Sequence, residues 1–258
     1  MIFKIKHKFK NLTINWIRSN GKNNYGKITS RFRGNDYKTK YKIINSNYAN
    51  YGKDSNSALL ISQYYDKYRT AYIGLIYYLE GLKSGTYNFI LLIDKLIIGN
   101  IITFNSKLTY SKGSSKPIKY IILGSIISNI ELIPKKGSQL VKASGVGAKL
   151  LSFDKNYALI KLPSQEFRLI SNKCFATIGS IAFIKKFLYK KAGLNKILNK
   201  RSHVRGLAMN AWDHPHGGGE GRSGIGRKIH CTPWGKIKFK TRKKLKFSNK
   251  FIIIKRKV

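Results

Sequence analysis

Acidic residues are scarce: 10 Asp and Glu stand against 51 Lys and Arg in 258 residues, a formal net charge of +41. That excess, about one uncompensated positive charge for every six residues, repels itself within a lone globule and calls for a polyanionic partner, nucleic acid first among them. Cysteine is almost absent. Cys174 and Cys231 allow at most one disulfide and no Cys-x-x-Cys pair, which excludes a disulfide scaffold and a zinc ribbon. No uninterrupted apolar run reaches the ~18 residues of a membrane span. The longest, 89–104, is broken by Asp94-Lys95 and Gly99-Asn100. Helix signal is thin, confined to one or two short basic turns in 185–199 around Gly193, and no heptad, internal repeat or Gly/Ser linker occurs.

What is present is unevenly spread. Residues 1–42 carry 12 basic side chains and one acid, Asp36, for a net +11. Residues 43–184 carry 17 and seven, net +10, and residues 185–258 carry 22 and two (Asp213 and Glu220), net +20. Two strongly basic ends thus flank a mildly basic middle rich enough in Ile, Leu and Tyr to bury a core. The first 20 residues are basic and acid-free, as in a targeting peptide, but Lys-rich like the rest of the chain.

Periodicity in the middle predicts short strands at 72–79, 87–93, 96–102, 118–127, 148–153, 157–162, 166–170 and 177–184. Turn signals such as Lys83-Ser84-Gly85, Lys135-Lys136-Gly137-Ser138 and Asp154-Lys155-Asn156 separate them. Such spacing predicts a mainly β chain of two small barrels, each of roughly 70 residues. The expected divisions are a basic N-terminal extension over 1–42, one barrel over 43–116, a second over 117–190 and an irregular, extended C-terminal region over 191–258, with the break between barrels in the polar stretch 105–116.

The most telling stretch is VRGLAMNAWDHPHGGGEGRSGIGRKIHCTPWG, residues 204–235. It has almost nothing to build a core with, and glycine is used where backbone must come close to another surface. Asp213, His214, His216, His230 and Cys231 are metal-type ligands. Zinc, however, needs four ligands held tetrahedrally on a rigid scaffold. Here His214 and His216 straddle Pro215, and His230 and Cys231 are adjacent. A hydrolytic dyad of Asp213 with His214 lacks a nucleophile. The favoured reading makes His214 and His216 donors and stacking surfaces for RNA, with Gly217, Gly218 and Gly219 admitting phosphates to the backbone and Glu220 pairing with an arginine. Arg201, His203, Arg205, Gly206, Met209, Asn210, Asp213, Arg222, Arg227 and Trp234 join the same expected surface. Towards the N-terminus it takes in Lys22, Asn23, Asn24, Lys27, Arg31 and Arg33, with Tyr25 free to stack. In the tail it takes in Lys236, Lys238, Lys240, Arg242, Lys243 and Lys244. Lys135, Lys136, Gln139 and Lys142 crowd one turn and are expected to grip RNA from a barrel loop. Strand aromatics such as Tyr77, Tyr78, Tyr87 and Phe89 read as core.

With those residues in view, the chain resembles the universal large-subunit ribosomal protein family uL2 (bacterial L2 type). The resemblance rests on VRGLAMNAWDHPHGGGEGR at 204–222 and TPWGK at 232–236. It is supported by 21–31, by YDKYRTA at 65–71 with its Arg69, by ILGSIISNIELIPKKGSQL at 122–140, by KCFATIG at 173–179 and by TRK at 241–243. It implies an OB-fold barrel, then an SH3-like barrel, then a C-terminal extension lying on large-subunit rRNA. It also implies a structural role near the peptidyl-transferase region, neighbouring ribosomal proteins, a contact towards the small subunit, and no cofactor beyond Mg²⁺ accompanying the RNA. Binding, not catalysis, carries over to His214. Departures are Gly34-Asn35-Asp36-Tyr37-Lys38 in place of a GGGHK string, Ala211-Trp212 before the DHPH motif, and Ile229 where the family has histidine. AT-biased residue usage points to an organelle, and motif drift to a mitochondrion, with a plastid or a reduced bacterium as alternatives. Two rival readings are a metal-dependent RNA-acting enzyme on Asp213, His214 and His216, and a free nucleic-acid chaperone using the first barrel. The barrels are expected to stand alone, and the glycine-histidine arm to take its shape only from RNA.

Overall fold

The computed structural model describes residues 10–15, 19–34, 40–48, 56–105, 110–183, 191, 193–221, 223–238, 242–243 and 245–255. The chain divides into two compact units. One comprises Met1–Trp16, Lys38–Leu188 and Lys250–Val258; the other comprises Ile17–Tyr37 and Tyr189–Asn249.

Among the described residues the first unit is mainly β, as its supply of Ile and aromatic residues dictates. A short antiparallel pair, β1 (Thr13–Asn15) with β2 (Lys40–Lys42), lies at its N-terminal side. The first barrel is built on β3 (Asn56–Tyr64), β4 (Ile73–Tyr78), β5 (Tyr87–Leu91) and β6 (Ile101–Phe104), with β3 antiparallel to both β4 and β6, and β4 to β5. Its interior is a cluster that includes Leu60, Ile76, Tyr78, Ile90, Ile102 and Phe104. The second barrel uses β7 (Ser115–Pro117), β8 (Ile126–Ser128), β9 (Ile130–Glu131), β10 (Ser138–Leu140), β11 (Ala148–Asp154), β12 (Tyr157–Lys161), β13 (Phe167–Ser171) and β14 (Phe175–Ile178). It closes over Ile118, Ile127, Ile130, Leu150, Ile160 and Ile170. One parallel pairing, Phe104 with Ser115, makes the two barrels share a hydrogen-bonded sheet. This is the mainly β pattern of an OB-fold barrel followed by an SH3-like barrel.

Four expectations shift. The predicted strand 96–102 is mostly a tight turn: Lys95 has φ 64°, Gly99 φ 95°, and the Asn100 side chain accepts the Ile97 N–H at 2.6 Å. The run 118–127 is a 3₁₀ turn (Ile118–Tyr120) followed by a bend at Gly124 (φ 80°), and only its end enters β8. The barrel boundary placed at 116/117 falls inside β7, which pairs with β14 and belongs to the second barrel. The region 191–258 is not simply extended. It begins with a one-turn helix, α1 (Gly193–Ile197), and ends with β15 (Ile252–Ile254), which returns to pair with β13. Among the described residues no helix is long and apolar enough to cross a membrane.

Glu131 is fully buried in the second barrel, and its carboxylate accepts the N–H of Gly137 and the N–H of Phe175, each at 3.0 Å. The same carboxylate contributes to the state of Cys174. Burial first, then the negative Glu131, push that thiol up to about 12, so it stays protonated and inert. Iodoacetamide at neutral pH is therefore expected to label Cys231, which is partly accessible, while leaving Cys174 unmodified until the chain is denatured. Peptide mass spectrometry checks this; labelling of Cys174 in the folded chain would contradict the packing described.

Candidate nucleic-acid interface

The second unit begins with a self-supporting loop. The Asn23 side-chain oxygen accepts N–H groups from Tyr25 and Lys27 at 3.0 Å, and the Gly21 carbonyl accepts those of Thr29 and Ser30 at 2.9 and 3.0 Å. Asn23 is thus occupied within its own turn, whereas Lys22, Asn24, Lys27 and Tyr25 project outward, Tyr25 being 81% exposed. The loop is fastened to the C-terminal segment of the same unit. Arg33 bridges to Lys200, the Arg201 N–H donates to the Phe32 carbonyl at 3.0 Å, and the rings of Phe32 and His203 lie 4.2 Å apart.

The DHPH turn is built inward. Each of its two imidazole rings accepts a backbone hydrogen bond. The His216 N–H donates to His214 Nδ1 at 3.0 Å, and the Cys231 N–H donates to His216 Nε2 at 2.8 Å. An accepting ring nitrogen carries no proton, so His214 holds its proton on Nε2 and His216 on Nδ1, which faces the Ile225 carbonyl at 3.4 Å. Both histidines are only 8% exposed. Burial first, then His216 and Arg31, lower the pKa of His214. Its neutral form is thereby favoured in the folded state, and the stability this gives is lost as pH falls.

Glycine makes the turn possible at two positions. A Cβ on Gly206 would meet the His214 ring at 2.5 Å, and one on Gly217 would lie 2.2 Å from the Asn210 carbonyl oxygen and 2.6 Å from that of Met209. The Gly217 N–H closes onto the His214 carbonyl at 2.8 Å and the Gly218 N–H onto the Met209 carbonyl at 3.0 Å. The turn is held by the chain's own hydrogen bonds, and each of the two histidines has one ring nitrogen engaged within it as an acceptor. Both rings turn back onto the chain, with Gly206 against the His214 ring and Gly217 against the backbone of Met209 and Asn210. Asp213 and Glu220 are exposed, Gly219 lies at the rim of the turn, and among the described residues no group of three or more His, Cys, Asp and Glu is placed to hold a metal ion.

Around this turn the unit presents exposed cations: Arg33, Arg201, Arg205, Arg227, Lys236, Lys238, Arg242 and Lys243, with Asn210 and Trp234 also at the surface and Arg31 half-buried. Arg222, Lys240 and Lys244 lie outside the described residues. Trp212 is fully exposed.

The first unit carries a separate cationic cluster. Arg69 pairs with Asp66, donates from its other terminal nitrogen to the Tyr41 hydroxyl at 2.6 Å, and stacks over the Tyr41 ring at 4.8 Å. Lys42 donates to the Tyr65 carbonyl at 2.7 Å, and Lys142 to the Ser138 carbonyl at 3.2 Å. Desolvation lowers the pKa of both lysines, and the Arg69 charge lowers both further, while Asp66 opposes the fall at Lys42. Arg69 thus acts on both lysines while Asp66 offsets it at Lys42, a local surplus of positive charge that a phosphate would relieve. Lys135, Lys136 and Gln139 are exposed on the neighbouring turn. Sequence reasoning misses Lys42, because a lysine in the alternating run Lys38-Thr39-Lys40-Tyr41-Lys42 does not reveal which face it takes.

Comparison with known proteins agrees with this geometry. Residues 9–104 match the family described as Ribosomal Proteins L2, RNA binding N-terminal domain, and residues 111–235 match Ribosomal Proteins L2, C-terminal domain. A relative from Psilotum nudum, the large ribosomal subunit protein uL2c, is 43% identical over 254 residues, covering 96% of this chain and 88% of the relative.

Proposed function

The chain belongs to the ribosomal protein L2 family, and from that premise we propose that it is a structural, rRNA-binding constituent of the large subunit of an organellar ribosome. The observation that carries the reading is the coincidence of both L2 domains, spanning 9–104 and 111–235, with a net charge of +41. Lys and Arg on both units displace counterions from RNA, and each phosphate contact contributes a log–log salt slope of about −0.7 to −0.9. Asp66 stays paired with Arg69, so the cluster offers its surplus charge from a fixed frame rather than from a mobile side chain. Magnesium enters only as the counterion of the RNA. A position near the peptidyl-transferase region, contacts with neighbouring ribosomal proteins and a bridge towards the small subunit are part of the proposal, on the strength of the family.

The compartment we propose is a plastid. The relative's designation, uL2c, is that of a plastid form, and nothing favours the mitochondrion expected from motif drift. Mass spectrometry of fractionated cells should find the chain in plastid ribosomal particles; recovery from mitochondrial particles would reverse the assignment. The enzyme reading loses its footing, since the family is structural.

The cationic cluster gives a direct test of RNA binding. Lys142→Gln is expected to reduce the salt slope for large-subunit rRNA by about 0.7 to 0.9, the loss of one phosphate contact. Filter binding over a salt series measures it. An unchanged slope would remove Lys142 from the interface, and absence of rRNA binding by the unaltered chain would overturn the function.

A further inference from the structure

The second unit forms an open cleft of about 480 Å³ between its N-terminal loop and the DHPH turn, within the size range of small-ligand sites. Its walls are mostly apolar, with Met209 and Ile225 among them, and one side is an aromatic face made by Phe32 and His203. Arg31, Arg205 and Lys238 stand among the described lining residues, and no carboxylate does. The Arg31 guanidinium lies 5.1 Å from the centre of the Phe32 ring.

Phe32 adopts φ 60°, a left-handed conformation that a bulky side chain rarely accepts. Backbone strain of this kind persists where surrounding structure holds it, and it concentrates at ligand sites. Here the Arg201 N–H holds the Phe32 carbonyl, and the strained turn directs the ring to the cavity wall. His214 also lines the cavity. Its Nδ1 is engaged by His216, so its Nε2–H is the donor left for a ligand, and the lowered pKa keeps the ring neutral.

A tilted aromatic pair, mostly apolar walls, a neutral ring donor and three cations, with no carboxylate among the described lining residues, match a planar heterocycle joined to one negative charge. We propose that the cavity receives a single unstacked nucleotide of RNA, with its base against Phe32 and His203 and its phosphate at Arg31 and Arg205. A stacked base pair cannot enter, whereas bulged or looped nucleotides offer a free face to aromatic side chains. The proposal rests on the rRNA-binding reading above and gives one place where sequence-independent charge contact becomes recognition of RNA shape.

The test uses the full chain and a short RNA hairpin carrying one bulged 2-aminopurine, beside the same hairpin without the bulge, and adenosine monophosphate. Binding is expected to be about tenfold tighter with the bulge, as stacking of one base on an aromatic ring gives, with a change in 2-aminopurine emission. Phe32→Gly relaxes the left-handed backbone while deleting the ring. It is expected to erase the tenfold preference between the two hairpins. Val204→Trp, which fills the cavity from a half-exposed wall, should erase the same preference.

If the unaltered chain binds both hairpins equally, the nucleotide site falls and RNA binding stands. If it binds neither, RNA binding itself falls, and the site with it. Persistence of the preference in both variants would also overturn the site. So would tighter binding of adenosine monophosphate than of the bulged hairpin, since that would make the ligand a free nucleotide.

Discussion

Gly217→Ala is expected to dismantle the DHPH turn. The new Cβ would fall 2.2 Å from one backbone carbonyl oxygen and 2.6 Å from another, those of Asn210 and Met209. Neither is the end of a flexible side chain, so the loop must open. Opening breaks the Gly217 N–H bond to His214 and the Gly218 N–H bond to Met209, and it disturbs the ring contacts of His214 and His216. A local loss of about 3 kcal/mol or more is expected, at the upper end of overpacking effects. Hydrogen exchange reads it as lost protection at His216, Gly217 and Gly218. Gly224→Ala is the control: its Cβ would meet nothing within 4 Å and its φ is not positive, so a change within about 0.5 kcal/mol is expected. Equal behaviour of the two variants would mean that the turn does not pack as described.

Glu131→Ala should have a comparable effect on the second barrel. Removing the carboxylate leaves the N–H groups of Gly137 and Phe175 buried without their acceptor, at about 1–3 kcal/mol each. The first N–H fixes the turn before β10 and the second fixes the start of β14, so both the hairpin and the strand that joins the sheet loosen together. Glu131→Gln keeps one side-chain oxygen and turns an amide nitrogen towards the other N–H, so about half the loss is expected. Urea denaturation measures both. A midpoint for Glu131→Ala equal to that of the unaltered chain would show that the carboxylate is not the tie between these segments.

Strands β12 and β13 are legible in the sequence because apolar residues recur with period two between turn signals, and β4, β5 and β11 because they are short branched and aromatic runs bounded by turns. The longest, β3, is not. Its inward positions begin with Asn56 and Ala58, so polarity and size hide the alternation, and a bulge between Leu60 and Ser62 then breaks the period. The stretch 96–102 misleads for the opposite reason, since Ile97, Ile98 and Ile101 are apolar yet exposed around a turn. Within the site, basic residues mark the surface, but glycine reports only that something comes close. In the DHPH turn that neighbour is the chain's own backbone, over carbonyls at 209 and 210 that no spacing rule indicates. Pairing of the 19–34 loop with residues near 200 is equally hidden, because the two segments are far apart in sequence and neither carries a strand pattern.

That pairing bears on the order of events during synthesis. Phe32 and Arg33 meet Arg201 and Lys200, so the N-terminal loop leaves the ribosome long before its protein partners exist. At ordinary elongation rates the interval is roughly 10–30 s. For that time the loop is a nascent cationic hook whose earliest available companion is RNA. Ile252–Ile254 emerge later still and add the outer strand beside Phe167–Ser171, so a strand made late completes the edge of a barrel begun much earlier.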